Sequence, residues 1–178
     1  MTMNETMKTL LRRRSVRTYL PRPVEPEKLD EILQAGLYAP SAMGRQSVTI
    51  VLVQDAETLA QLRSLNAQIM GKPDADPFYG APAAAVVLTD TALAGEENGR
   101  CDGALAMGNL MNAAASVGVS SCWINRMKET FERPEGRALL RAWGLPETMM
   151  GVGACILGYA AAPAPAPAAR REGRLLRV

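Results

Sequence analysis

The sequence predicts a sandwich of helices packed on a β-sheet, in the α/β or α+β class. Its 178 residues fit one domain. Hydrophobic residues make up 48% and charged residues 21%, which is the balance of an ordinary globular protein. Helical apolar spacing alternates along the chain with continuous apolar segments of strand length. Because no repeat or linker divides it, we expect one domain over residues 1–178, with an extended tail over residues 160–178.

Two amphipathic helices are predicted at the start of the chain. Met7, Leu10 and Leu11 follow i, i+3, i+4 spacing, so a short helix is expected over residues 5–14. A second helix is expected to begin near Pro26, because proline suits the first helical turn. An Ala-Pro-Ser triplet ends it, since the residue before a proline disfavours the helical conformation.

Four strands are predicted from short apolar segments between turn signals. The first, over residues 48–55, is continuous and β-branched, so we expect it to be buried on both faces. The others lie over residues 83–90, 120–124 and 151–159, of which residues 120–124 form either a short strand or an extended turn. Further helices are predicted over residues 56–70, 99–119 and 133–146.

The chain ends in alternating alanine and proline followed by a basic, leucine-containing segment. This composition favours an extended polyproline II conformation of about 3.1 Å per residue. Ten such residues would span about 30 Å. The tail either leaves its own subunit to lay a strand on a partner or remains disordered, and composition does not decide between the two.

Composition excludes several classes of function. The net charge of +2 is too small for a general nucleic-acid or membrane binder. The sequence contains no histidine, which excludes histidine-based catalytic triads and histidine metal sites. The three cysteines form no C-x-x-C pair, which is typical of reduced thiols in a cytosolic protein. With no signal-peptide pattern and no apolar segment of about 18 residues, a cytoplasmic location is expected.

Arginine outnumbers lysine sixteen to four and gathers at both ends of the chain. Near the first end, Arg13, Ser15 and Arg17 alternate, so an extended backbone would point these three side chains in one direction. Two planar guanidinium groups around a hydroxyl match a phosphate monoester. A solvated basic turn and a nucleic-acid contact are the alternatives.

Two further segments carry features of a ligand site. Residues 39–47 form a loop after the second helix, where Gly44 permits a positive φ and close backbone approach to a planar ligand. Gln46 adds a hydrogen-bond donor and an acceptor. Residues 118–125 turn from a long helix into a strand, where backbone amides could face a ligand or simply precede a core tryptophan. Each pattern by itself is common in loops and turns.

Other candidate residues favour structural roles. Asp102, with Glu96 and Glu97, is typical of a solvated helix start. Phe78 and Tyr79 are expected to pack rather than to bind a ligand. The sequence contains neither the glycine fingerprint of dinucleotide-binding folds nor a P-loop.

Taken in order along the chain, these segments resemble the nitroreductase family of FMN-dependent oxidoreductases. The resemblance covers almost the whole sequence. It rests on RRSVR at residues 13–17, APSAMGRQ at 39–46, DPFYGAPAAAVVL at 76–88, DGALAMGNLMNAAASVGVSSCWI at 102–124, GLPETMMGVGACILGY at 144–159 and RREGRLLRV at 170–178.

The resemblance implies an α+β, nitroreductase-like sandwich with a mostly antiparallel central sheet flanked by helices. It also implies a homodimer in which a C-terminal extended strand crosses to the partner subunit. Two FMN molecules would lie at the dimer interface, and each would be touched by both subunits.

The same resemblance assigns the FMN phosphate and ribityl chain to Arg13, Arg14 and Ser15. Arg170 and Arg171 would close over the phosphate.

The flavin ring would be contacted by both subunits. Arg17 and Asn66 are implied at its pyrimidine edge, and the backbone near Ile124 and Asn125 is implied to approach N5. The other subunit would contribute Pro40, Ser41, Ala42, Met43, Gly44 and Gln46.

Two positions depart from the family pattern. Gly44 stands where the family has asparagine, and both residue types tolerate left-handed backbone. The backbone shape is therefore expected to survive without the side-chain contact. Ser47 and Val48 replace the usual Pro-Trp pair, which is expected to open the pocket wall.

The resemblance implies a reductase that uses NAD(P)H to reduce nitroaromatics, quinones or a similar flat small molecule by a ping-pong mechanism. FMN carries the redox chemistry, so no side-chain acid or base is needed, which fits a sequence without histidine. One alternative is a different flavin reaction on the same fold, such as dehalogenation, azoline oxidation or flavin fragmentation. Another is a non-enzymatic flavin-binding protein. No nucleic-acid or membrane partner is expected.

Overall fold

The computed structural model describes residues 3–178, in which helices and strands alternate along the chain. The helices are α1 (Glu5–Arg12), α2 (Pro26–Leu37), α3 (Ala56–Ile69), α4 (Thr91–Ser116), α5 (Met127–Glu132) and α6 (Pro134–Ala142). The strands are β1 (Val48–Val53), β2 (Ala83–Asp90), β3 (Ser120–Ile124) and β4 (Met149–Gly158). A short 3₁₀ turn, Ala42–Gly44, lies between α2 and β1. Each predicted element overlaps one of these, and α5 is an additional helix.

The four strands form one sheet in the order β1-β2-β4-β3, in which each neighbouring pair is antiparallel. β2 and β4 occupy the centre, and their side chains alternate between the two faces. One face packs on α2 and α4 through residues such as Ile32 and Leu110. The other packs on α3, α5 and α6 through residues such as Leu62 and Phe131. The fold is therefore an α+β sandwich with an antiparallel sheet.

The expectation that the first strand is buried on both faces is wrong. Within residues 3–178, β1 pairs with β2 on one side and forms an edge of the sheet on the other. Its side chains are half-buried along most of the strand, and Val53 is buried. A continuous apolar segment is typical of a central strand. Here the same composition occurs in an edge strand, whose side chains are mostly half-buried on both faces of the sheet.

Two helix boundaries differ from the predicted ones for local reasons. α1 ends before Arg13, because that residue already has extended dihedral angles, with φ −52° and ψ 135°. α4 begins earlier than predicted, because the Asp90 carboxylate caps it by accepting a hydrogen bond from the Ala92 amide at 2.9 Å. Gly95, with φ 73°, kinks the helix soon after this start.

The segment between α1 and α2 is held extended against the sheet. Ser15 forms a parallel bridge with Ser121 of β3, and the Val16 amide donates to the Ser121 carbonyl at 3.0 Å. The Tyr19 hydroxyl donates to the Val16 carbonyl at 2.9 Å, and burial raises the pKa of Tyr19 above its ordinary value. These contacts fix the arginine cluster beside β3.

The tail over residues 161–178 is exposed throughout. It leaves the domain where the Ala161 amide donates to the Thr18 carbonyl at 3.0 Å. Leu176, near its end, is 83% exposed. The crossing of this tail to a partner subunit stays a prediction, because it requires a second copy of the chain.

Helix length and polarity bear on membrane association. The longest helix in residues 3–178 is α4, with 26 residues, and it carries charged side chains in its first half. Within the described part of the chain, no helix is both long enough and apolar enough to span a bilayer.

Candidate functional site

A cleft opens where the end of α1 meets the start of β3. It is lined by three consecutive arginines, by the turn between α4 and β3, and by the first part of the tail. Its lining includes Arg12, Arg13, Arg14, Gly118, Ser120, Ser121 and Ala164. Gly118 has φ 77°, which only glycine adopts at little cost, and this angle turns the chain sharply from α4 into β3. The cleft therefore joins two segments that the sequence singles out separately.

Two of these arginines leave guanidinium nitrogens unsatisfied. Arg13 Nη1 and Arg14 Nε are buried and have no hydrogen-bond partner within residues 3–178. Arg14 Nη1 donates to the Leu11 carbonyl at 2.9 Å, which holds that side chain at the end of α1. The ion pairs formed among the described residues include neither arginine. Because a buried donor without an acceptor is costly, the cleft favours an anion with several acceptor oxygens.

The bridge between Ser15 and Ser121 orients the arginine cluster along β3. After this bridge the segment passes to the chain that follows β4, where Tyr19 bridges Ala160 and the Ala161 amide donates to the Thr18 carbonyl at 3.0 Å. Four extended residues of about 3.3 Å each would place Arg17 roughly 13 Å beyond Arg13. Arg17 and Asn125 are both exposed. The position of a flavin ring beside these two residues stays a prediction.

The loop after α2 is built from left-handed backbone. Met43, Gly44 and Gln46 have φ values of 55°, 66° and 50°. The value at Gly44 confirms that this position takes a positive φ. A Cβ added to Gly44 would have no other atom within 4 Å. Left-handed conformations cost non-glycine residues about 1–3 kcal/mol each and are concentrated at ligand sites. Ser41 Oγ closes the loop by accepting a hydrogen bond from the Gln46 amide at 2.9 Å.

The interpretation of Asp102 as part of a solvated helix start is wrong. Its side chain is 2% exposed and lies beneath the loop. Asp102 Oδ1 accepts a hydrogen bond from the Ala42 amide at 2.8 Å, and Oδ2 accepts one from the Ser47 hydroxyl at 2.8 Å. Thr89 Oγ1 of β2 donates to Ser47 Oγ at 3.1 Å. A helix, a loop and a strand therefore meet at one buried carboxylate.

The opening of the pocket wall expected from the Ser47-Val48 departure stays a prediction. Ser47 directly precedes β1. It is buried, and its hydroxyl is directed at Asp102 rather than at the surface of the loop. Val48 begins β1 and is half-buried against the core on the α2 and α4 side. In this chain, Ser47 therefore ties the end of the loop to Asp102.

The loop and the arginine cleft lie at different positions along α4. Asp102 holds the loop near the middle of α4, and Ala115 lines the cleft near its end. The stretch of helix between these two residues is about 20 Å long, at about 1.5 Å per residue. Within one chain, the loop lines its own concave surface together with Leu37 and Tyr38.

The structure does not bring Asn66 to the ligand surface. Its side chain is 0% exposed, because it lies on the inward face of α3. Asn66 Nδ2 donates to the Leu62 carbonyl at 3.0 Å and to the Thr130 hydroxyl at 3.1 Å. The Thr130 hydroxyl in turn donates to the Arg126 carbonyl at 2.7 Å. Asn66 therefore supports the turn after β3 from inside the protein, and the assignment to the pyrimidine edge is not supported.

The remaining expected site residues are divided between β3 and the tail. Ile124 is buried at the end of β3, and Asn125 follows it at the surface. Arg170 and Arg171 line a concave surface formed by the tail itself. Their convergence with Arg13 on one phosphate stays a prediction.

Sequence reasoning missed the buried anchor of the loop. Asp102, Ser47 and Thr89 carry it, and they are far apart in the sequence. The one available signal is an acidic residue at the start of the segment DGALAMG, which is otherwise small and apolar. A lone carboxylate in such a segment is expected to be buried and hydrogen-bonded.

Comparison with known proteins identifies the family to which this chain belongs. The profile of the Nitroreductase family matches residues 10–159, which include the arginine cluster, the loop and all of the sheet. The chain belongs to the nitroreductase family. This family member is 30% identical over 175 residues to the FMN reductase (NAD(P)H) of Bacillus subtilis (strain 168), covering 89% of this chain and 67% of that protein.

Solved structures share the fold of this nitroreductase-family chain. A nitroreductase from Bacteroides fragilis NCTC 9343, solved with bound FMN, is 29% identical and aligns with a TM-score of 0.87, covering 99% of this chain and 100% of that one. A nitroreductase with bound FMN from Desulfitobacterium hafniense DCB-2 aligns with a TM-score of 0.89 over 99% of this chain and 100% of that one. At 23% identity, the second likeness concerns the fold.

Proposed function

We propose that this nitroreductase-family chain is an FMN-dependent oxidoreductase that uses NAD(P)H to reduce nitroaromatics, quinones or a similar flat acceptor. The observation that carries the proposal is the pair of buried, unpartnered guanidinium nitrogens of Arg13 and Arg14 in a cleft beside β3. Family membership gives the class of cofactor, and the FMN bound in the related B. fragilis nitroreductase agrees with it.

The residues beside β3 suit FMN from its phosphate to its ring. The phosphate oxygens would accept hydrogen bonds from Arg13 and Arg14, which line the cleft, and from the hydroxyl of the neighbouring Ser15. The ring would lie toward Arg17 and Asn125, the two exposed residues that the family resemblance assigns to it. Arg17 would then set a positive charge beside the pyrimidine edge.

A homodimer would complete the site. One chain's loop lies about 20 Å along α4 from its own arginine cleft, so the two features serve one flavin if two copies pack antiparallel along this helix. A twofold axis produces this arrangement, because each copy offers the same surface to the other. Tyr38 is 81% exposed, and Leu37 and Leu105 on the surfaces of α2 and α4 are exposed as well. These apolar side chains are suited to burial against a second copy.

When bound, FMN supplies the redox chemistry, accepting a hydride from NAD(P)H and passing electrons to the acceptor. The chain binds and orients the cofactor and shapes the space above it. Ala42 and Gly44 in the loop have little or no side chain, which leaves room for a flat molecule. Because NAD(P)H and the acceptor would occupy the same space in turn, we expect ping-pong kinetics.

Rapid reduction of the bound flavin tests the proposed function. The purified protein should carry FMN, and anaerobic mixing with NADH or NADPH in a stopped-flow instrument should bleach its visible absorption. Reduction by dithionite gives the fully reduced reference. With a soluble quinone as acceptor, double-reciprocal plots at several NAD(P)H concentrations should be parallel.

Two results would contradict the proposal. If dithionite reduces the flavin but neither nucleotide does, the protein is not an NAD(P)H-dependent reductase. If the double-reciprocal lines intersect, the two substrates do not use one site in turn.

A further inference from the structure

The loop over residues 41–47 is strained and requires support. Two of its three left-handed residues, Met43 and Gln46, are not glycine. Such conformations persist only where the surroundings hold them in place. Met43 is also 85% exposed, so its own side chain contributes little packing within the chain. The support must therefore come from the ends of the loop.

Asp102 holds both ends of this loop. Its Oδ1 accepts from the Ala42 amide near the start, and its Oδ2 accepts from the Ser47 hydroxyl at the end. Both distances are 2.8 Å, and hydrogen bonds to an ionised acceptor are stronger than neutral ones. The carboxylate thus connects the two ends of the loop through one hydrogen bond to each.

The surrounding fold gives Asp102 hydrogen bonds rather than a cation. Among the ion pairs of residues 3–178, none includes Asp102. Gly99, about one helical turn earlier, lets β2 approach α4, because a Cβ there would lie 2.6 Å from Thr89 Oγ1. That Thr89 hydroxyl donates to Ser47 Oγ and completes the network. Burying a carboxylate without a cation lowers the free energy of unfolding. We therefore attribute to Asp102 a role in holding the loop.

We propose that Asp102 is a positioning residue that fixes the loop in the conformation in which Met43, Gly44 and Gln46 meet the flavin bound by the partner copy. Asp102 itself does not touch the flavin and acts through Ala42 and Ser47. The flavin contact rests on the proposed function, whereas the hold on the loop can be measured without any cofactor.

Hydrogen exchange of the flavin-free protein and FMN titration together test this role. In Asp102→Ala, we expect amides of residues 42–46 to exchange about tenfold faster or more, and the Kd for FMN to rise by about tenfold or more. Asp102→Asn should be intermediate in both measurements, because its amide oxygen still accepts from Ala42. Ser47→Ala should change both in the same direction, because it removes one of the two bonds. Glu97→Gln removes an exposed charge from the same helix and should match the parent protein.

The outcomes separate positioning from general stability. If Asp102→Ala does not fold, Asp102→Asn and Ser47→Ala decide the question. The proposal is overturned if these variants keep the loop exchange rates and the FMN affinity of the parent within about twofold, or if exchange accelerates equally across the sheet. A third outcome is that the variants exchange faster in the loop while the parent protein itself binds no FMN. That result would overturn both the flavin role and the proposed function, and it would leave Asp102 as the anchor of the loop.

Discussion

Replacing Arg13 with alanine is expected to weaken FMN binding by about tenfold to a hundredfold, since a hydrogen bond to a charged group contributes about 1.5–3 kcal/mol. Arg13 lines the cleft, and its buried Nη1 has no protein acceptor among the described residues, so its guanidinium group is available to a phosphate. Arg13→Lys should lose less affinity, because it keeps the charge but not the planar fork. Titration of the flavin-free protein, followed by quenching of FMN fluorescence, measures each Kd.

Arg141→Ala is the matched control for the loss of charge. Arg141 lies exposed on α6, where it pairs with Glu147 at 3.7 Å, and its removal should leave the Kd for FMN unchanged. If both alanine variants weaken FMN binding equally, the effect is one of net charge. If Arg13→Ala binds FMN as tightly as the parent, the phosphate lies elsewhere.

Deleting residues 163–178 is expected to leave the domain folded while weakening both dimerisation and FMN binding by about tenfold or more. The tail is exposed along its whole length, so its loss removes little packing from its own copy. Leu175 and Leu176 are exposed in one chain and are expected to be buried on a second. Circular dichroism checks the fold, sedimentation equilibrium measures the dimer Kd, and titration measures the FMN Kd.

Two double variants separate the roles of the tail. Arg170→Ala with Arg171→Ala should weaken FMN binding and preserve the dimer, because the leucines remain. Arg174→Ala with Arg177→Ala removes the same charge and should preserve FMN binding. A truncated chain that dimerises and binds FMN like the parent would show that the tail serves neither purpose. Equal losses in the two double variants would point to net charge.

Features that depend on neighbouring residues could be predicted from the sequence. The central strands β2 and β4 are continuous apolar segments, and the structure contains both. Gly44 has the left-handed backbone expected from its residue type. Ser15, within the arginine cluster, bridges β3, which agrees with the extended backbone that would align Arg13, Ser15 and Arg17. In each case the chain within a few residues determines the conformation.

Features that depend on distant residues could not be predicted. Asp102 and Ser47 are 55 positions apart, and spacing along the chain gives no sign that they form a hydrogen bond. Asn66 was assigned by resemblance to the ligand surface, yet its place on the inward face of α3 buries it against Thr130. β1 has the composition of a central strand, and its position at the edge follows from the order of the strands. Tertiary packing decides all three.

The assignment of the arginine cleft to the FMN phosphate is tested most directly by comparing the binding of FMN with that of riboflavin. Riboflavin has the same ring and ribityl chain and lacks the phosphate. We predict that the flavin-free parent protein binds FMN about a hundredfold more tightly than riboflavin or better, because two arginines and a serine hydroxyl would contact the phosphate. Arg13→Ala should reduce this ratio and leave the Kd for riboflavin unchanged. Equal affinities of the parent protein for FMN and riboflavin would contradict the assignment of the arginine cleft to a flavin phosphate.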